Sequence, residues 1–258
     1  MTRDRPTIAE LRAVTQAGIV ERPNAEHWAG RLYMRPLSPY VTRLLIGTRI
    51  TPDGLTGAMI VVGIVAAVLA AWPTLWSAVV VVVLVQLYLL LDCVDGEVAR
   101  WRRTTSARGV YLDRLGHHVV EAALAGSLGV RAAGGPATTA SWWYVLGAAS
   151  AALVVIGKVE SDLVTVARTS ARLPAESDGV ATSRVPAVRS VRRALRYLPV
   201  HRLIGAVELS LLLLIATIID AVVGGLVATQ GLLLLVGSVA FVVAAGHPVT
   251  ILSSDRLR

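Results

Sequence analysis

Six nearly unbroken apolar stretches divide the chain, at residues 54–72, 76–98, 110–131, 142–166, 203–223 and 230–252. Each holds about 20 residues, which as a helix can cross a hydrocarbon core of roughly 30 Å. The pattern predicts an all-α polytopic membrane protein, six transmembrane helices in one bundle, preceded by one or two interfacial amphipathic helices. Those lie within residues 1–50, where "WAGRLYMRPLSPYVTRLLIGTRI" interleaves Trp28, Tyr33, Tyr40 and leucines with Arg31, Arg35, Arg43 and Arg49. Pro36 would break or start one of them. This segment is too charged, and lacks the apolar centre, for a cleaved signal peptide. The division expected is therefore a 1–50 interfacial segment, a 51–252 membrane domain with a polar loop at 169–200, and a 253–258 tail. Within that loop a short amphipathic helix is expected near "VRRALRYL".

Composition agrees: 55% of residues are hydrophobic and 16% charged, and mean hydropathy is +0.65. The net charge of +8 comes from 25 Lys and Arg against 17 Asp and Glu. Its distribution matters more than its size. The connections "AWPT", "AAGGPATTAS" and "GGLVATQG" carry no charge, whereas "RWRRTTSAR", the 169–200 loop and both termini are basic. Only Arg131 falls on the uncharged side. The positive-inside rule then places both termini and the basic loops in the cytoplasm of a cell-membrane protein. Arginines beside spans meet anionic headgroups, so the charge implies no nucleic-acid partner. A single cysteine, Cys93, excludes an internal disulfide.

The second span ends in "LLDCVDGEVARW", and acidic side chains at membrane depth need a partner. Asp92, Asp95 and Ala99 fall at i, i+3, i+7 and so share one helical face; Gly96 follows Asp95 and permits a close approach. The third span opens with "GVYLDRLGHHVVEA", where Gly109, Asp113 and His117 repeat every four residues. Antiparallel helices joined by a short loop are neighbours, so the two faces can meet. Three carboxylates and an imidazole in one place repel unless cations join them, and oxygen-rich ligands open to water favour Mg²⁺ or Mn²⁺. One or two such ions commonly hold diphosphate oxygens. The competing reading is that Asp92 and Arg100 merely cap and pair at a helix end.

The run Asp92-x-x-Asp95-Gly96-x-x-Ala99-Arg100, then eight residues, then Gly109-x-x-x-Asp113 resembles the signature of the class I CDP-alcohol phosphotransferases, also called CDP-alcohol phosphatidyltransferases. "TPDGLT" at 51–56 is similar to that family's Thr-Pro-Asn-x-x-Thr, and the resemblance covers residues 40–252. Two positions depart from it. His117 stands where the family has a fourth aspartate, and Asp53 stands where it has asparagine.

The resemblance implies six membrane helices with a cytoplasmic site, a CDP-alcohol donor (often CDP-diacylglycerol), a homodimer, and a place in phospholipid or related glycolipid synthesis. Asp92, Asp95 and Asp113, with His117, would hold two divalent ions, Mg²⁺ or Mn²⁺. Thr51, Pro52, Thr56, Gly96, Ala99, Arg100 and Gly109 would border the nucleotide. His117 would take the proton of the acceptor hydroxyl; imidazole can serve as base or ligand. The acceptor would be a polyol or inositol phosphate, since "MRPLSPYVTRLL" is similar to the segment preceding the membrane domain in members that handle inositol phosphates. Lys158, the only lysine, either pairs with Asp162 at i+4 or joins Arg168, Arg184 and Arg189 in binding an anionic acceptor. The substitution at 117 also leaves open a catalytically silent protein that binds a CDP-lipid.

Overall fold

The computed structural model describes residues 6–18, 28–139, 141–173, 204–254 and 257. Among them every regular element is helical. The chain divides into two compact units, one formed by residues 1–65 with 83–117 and the other by 66–82 with 118–258.

Among the described residues, eight α-helices follow one another. They are α1 (Ile8–Thr15), α2 (Arg35–Leu45), α3 (Pro52–Ala70), α4 (Leu75–Arg102), α5 (Ala107–Ala132), α6 (Trp142–Ser170), α7 (Ala206–Val223) and α8 (Val227–Leu252). A π-helical turn, Gly30–Met34, leads directly into α2. Helices α3, α4, α6, α7 and α8 are long and apolar enough to cross a membrane. The expected third span corresponds to α5, which has 26 residues but carries Asp113, Arg114, His117, His118, Glu121 and Arg131, and so falls short on apolarity rather than length. The protein is accordingly a multi-pass helical membrane protein. The helix expected near "VRRALRYL" lies outside the described residues.

In the first unit, α1 starts with a capping box: Thr7 Oγ1 accepts from Glu10 N, and Glu10 Oε2 accepts from Thr7 N. Pro36 lies at the start of α2, directly after the π-helical turn, and the helical backbone runs through Met34 and Arg35 without a break. Pro39, inside α2, has no N–H to offer the Arg35 carbonyl, and the side-chain amide of Gln16 donates to that carbonyl instead, at 2.8 Å. At the other end of α2, Arg102 donates to the carbonyls of Leu45, Ile46, Thr48 and Ile50, in and after the last turn, where carbonyls outnumber helical amide donors. Leu55, Val94 and Val98 form the core here, flanked by Val41, Leu45 and Leu90. The apolar residues Leu37, Tyr40 and Leu44 of α2 point outward on one face, while Ser38 and Thr42 point inward.

In the second unit, α5 and α6 cross at glycines. A Cβ on Gly129 would lie 2.6 Å from Gly147 Cα, so neither position admits a side chain. Asp220 of α7 accepts from the amides of Ala228 and Thr229, capping the start of α8, which has no side-chain cap of its own. Arg131, the lone cation on the uncharged side, is fully buried. Its guanidinium donates to the carbonyls of Ala70, Trp72 and Thr74 and to the hydroxyls of Ser77 and Thr217. It therefore serves the helix-end carbonyls of α3 and the turn after it, which explains the exception to the charge pattern.

Candidate active site

The connection between α4 and α5 sets the geometry of the first unit's acidic faces. Thr104 N donates to Ala99 O, and Arg103 N to Arg100 O, with Arg103 at φ 54°. This is a Schellman ending with arginine in the left-handed position usually given to glycine. Ser106 then caps α5 by accepting from Gly109 N at 3.0 Å. The reversal is tight, and the two helices run back antiparallel with their signature faces together.

Asp92, Asp113 and His117 converge. Nε2 of His117 lies 3.1 Å from Asp92 Oδ1 and 3.5 Å from Asp113 Oδ1. One ligand atom from each of the three falls within 4.8 Å of the others. Adjacent ligands on an octahedral ion with bonds near 2.1 Å stand about 3 Å apart, so this spacing suits a small divalent cation. All three side chains are partly exposed, leaving room for solvent or substrate oxygens beside them. On its other side His117 presents Nδ1 to the Tyr88 hydroxyl at 2.5 Å, with the two rings edge-to-face.

Asp95 is placed differently from the other three. Its Oδ2 accepts the hydroxyl of Thr56 at 2.5 Å, and it is more deeply buried. Thr51 accepts from Gly54 N at 3.1 Å, and Pro52 is the first residue of α3, so the 51–56 segment is a helix start whose threonine side chain reaches α4. Gly96 faces the folded-back guanidinium of Arg100, whose Nε donates to Thr15 O at 2.6 Å. Ala99 supplies the carbonyl that ends α4. A Cβ on Gly109 would meet Asp53 Oδ1 at 3.5 Å.

Three features escaped the sequence reading. Asp53, left without a role, forms an ion pair with Arg108 at 3.2 Å across α3 and α5. Glu97 is fully buried and accepts from Gln16 at 2.8 Å, Ser38 at 2.5 Å and Thr42 at 2.6 Å, tying α1 and α2 to the signature helix. Ser38 and Thr42 fall at i, i+4 on α2, the one sequence signal that could have exposed this. Tyr88 gave no signal beyond lying one turn before Asp92.

Among the residues considered for an acceptor, Lys158 does not pair with Asp162. Its Nζ lies 2.9 Å from Glu121 Oε2 of α5, and Asp162 instead faces His118 at 3.4 Å. The i+4 spacing on α6 permitted the first pairing, but α5 offers Lys158 a closer carboxylate and Asp162 an imidazole. Arg168 sits in the last turn of α6. Arg184 and Arg189 lie outside the described residues.

Long apolar helices define a multi-pass membrane protein, and the Asp92, Asp113 and His117 cluster offers a cation three ligand atoms. The sequence model of the CDP-alcohol phosphatidyltransferases matches residues 49–244, and the chain belongs to that family. No curated protein matches it. The family transfers a phospho-alcohol group from a CDP-alcohol to a hydroxyl acceptor and is generally dependent on divalent metal; the donor set of Asp92, Asp113 and His117 fits such an ion.

Proposed function

We propose that this protein transfers a phosphatidyl group from CDP-diacylglycerol to a hydroxyl of a polyol or inositol phosphate, releasing CMP, as a step of phospholipid or glycolipid synthesis. The observation that carries the reading is the placement of His117 Nε2 between Asp92 and Asp113. We assign Asp92, Asp95 and Asp113, with His117, to two divalent ions, Mg²⁺ or Mn²⁺. Asp95 would join them by giving up its hydrogen bond from Thr56. When bound, such ions neutralise diphosphate oxygens and stabilise charge developing at phosphorus.

The remaining work falls to the chain's own groups. Arg100 has its Nε committed to Thr15, which leaves the two Nη groups to face a phosphate in the fork geometry that suits it. Thr51, Pro52, Thr56, Gly96, Ala99 and Gly109 border the nucleotide. The single Nε2 lone pair of His117 serves one task at a time: it holds an ion at rest and, released from it, accepts the proton of the acceptor hydroxyl. That oxygen forms a bond to the phosphorus carrying the diacylglycerol, the bridging P–O bond of the diphosphate breaks, and CMP departs with the electron pair. Lys158 and Arg168 are assigned to an anionic acceptor, with Glu121 the resting partner of Lys158. The outward apolar face of α2 supports an interfacial N-terminal segment, and basic connections support cytoplasmic termini in the cell membrane. A homodimer is the assembly expected.

The test is CMP release by purified protein with Mg²⁺ or Mn²⁺, across a panel of CDP-alcohols and acceptors. CDP-diacylglycerol with a polyol phosphate should give turnover. A folded protein that binds CDP-diacylglycerol yet yields no CMP with any donor and acceptor would establish the silent binder instead, and gain of turnover in His117→Asp would locate the cause.

A further inference from the structure

His117 is held at both ring nitrogens, and its Nδ1 partner is carried by the helix that carries Asp92. Tyr88 lies four residues before Asp92 on α4, one turn away on the same face. It is buried to 2% exposure, and its hydroxyl stands 2.5 Å from His117 Nδ1. The ring centroids are 5.5 Å apart at 88°, so the tyrosine both packs against the imidazole edge and bonds it. An imidazole held at Nε2 alone can turn over about its Cβ–Cγ bond and point a carbon at the carboxylates. A second bond at Nδ1 removes that freedom.

We propose that Tyr88 is a positioning residue that holds His117 with Nε2 aimed between Asp92 and Asp113. A histidine acting through one nitrogen needs its other nitrogen satisfied, and such partners set ring orientation and tautomer. A hydroxyl is suited to this place because it can either donate to a bare Nδ1 or accept from Nδ1–H, so the aim of Nε2 survives in either tautomer. A carboxylate at position 117 would offer Tyr88 no ring nitrogen, which makes Tyr88 a partner of this histidine in particular. This inference deepens the proposed function and rests on the cluster being a cation site.

Tyr88→Phe keeps the ring and removes only the hydroxyl. In nanodiscs without substrate, it should weaken Mn²⁺ binding by about 10-fold or more, the range found when an outer partner of a metal-binding histidine is lost. With substrate, kcat for CMP release should fall by a similar factor while KM for the CDP-alcohol stays put. In a His117→Asp background, Tyr88→Phe should change neither. The ¹⁵N resonance of His117 Nδ1, which needs neither metal nor substrate, should move in Tyr88→Phe. Unchanged Mn²⁺ affinity and an unmoved Nδ1 resonance would overturn the proposal, as would an equal loss in the His117→Asp background. Should wild type release no CMP from any donor while the metal and ¹⁵N effects appear, the proposed reaction falls and the positioning role of Tyr88 stands.

Discussion

Arg100 folds back over its own helix because Gly96, one turn earlier, has no side chain: a Cβ there would lie 3.0 Å from Nη1. The neighbour is the end of a flexible side chain, so Gly96→Ala can be accommodated without moving the backbone. The guanidinium must then swing away, and its bond from Nε to Thr15 O stretches or breaks. We expect thermal stability to change by no more than about 1 kcal/mol. KM for the CDP-alcohol should rise about 10-fold, the loss of one good charge-assisted contact. Paired measurements of melting temperature and CMP release separate the two effects.

Glu97 gathers Gln16, Ser38 and Thr42 around a carboxylate with no exposure. Glu97→Ala would leave three donors without their acceptor, at about 1–3 kcal/mol each if none finds another. Since α1 reaches the rest of the unit through Gln16, Arg12 and the Arg100–Thr15 bond, its attachment should loosen first. Limited proteolysis should show cleavage within residues 6–18 in Glu97→Ala under conditions that leave the wild type intact.

The helices and the signature faces were legible because both are periodic properties. Apolar runs mark length, and i, i+3, i+4 spacing marks which carboxylates share a side. All six expected spans coincide with helices, their ends displaced by a few residues where apolarity stops before the helix does, as at Arg102, which continues α4 to reach four carbonyls. What spacing cannot give is the partner across a helix pair. Lys158 with Asp162 was the local solution, and Glu121 from another helix displaced it. Tyr88 and Glu97 were silent for the same reason: each acquires its role from a residue 29 or more positions away.

Arg131 joins five acceptors from three parts of the second unit, and no other residue type spans them. Arg131→Lys keeps the charge but brings three donors from a single nitrogen in place of a planar fork. It should destabilise by about 2–3 kcal/mol through carbonyls left without donors. Arg131→Met should cost at least as much. Unfolding in mixed micelles with increasing SDS reads both, and a variant as stable as wild type would show that the buried guanidinium is dispensable.

Asp92→Asn and Asp113→Asn each remove a charge from the three-membered ligand group while keeping its shape. Hard divalent cations depend on anionic oxygen, so either change should lower Mn²⁺ affinity at least 10-fold, read by titration calorimetry in nanodiscs. Full metal occupancy in either variant would show that the cation is held elsewhere.

Lys158 presents the harder problem, because the pair it forms with Glu121 at 2.9 Å gives any single substitution two effects. Lys158→Met strands a carboxylate that is 12% exposed, and breaking such a half-buried pair from one side costs up to about 3 kcal/mol. Lost activity in that variant would therefore say nothing about the acceptor. The double variant Lys158→Met with Glu121→Met removes both charges at similar volume and should recover wild-type stability, as buried pairs replaced by apolar residues commonly do. If Lys158 binds an anionic acceptor, the double variant should fold, keep its KM for the CDP-alcohol, and show a KM for the acceptor raised about 10-fold, the scale of one charge-assisted hydrogen bond. An unchanged acceptor KM in the stable double variant would make the lysine and glutamate a structural pair and remove Lys158 from the acceptor site.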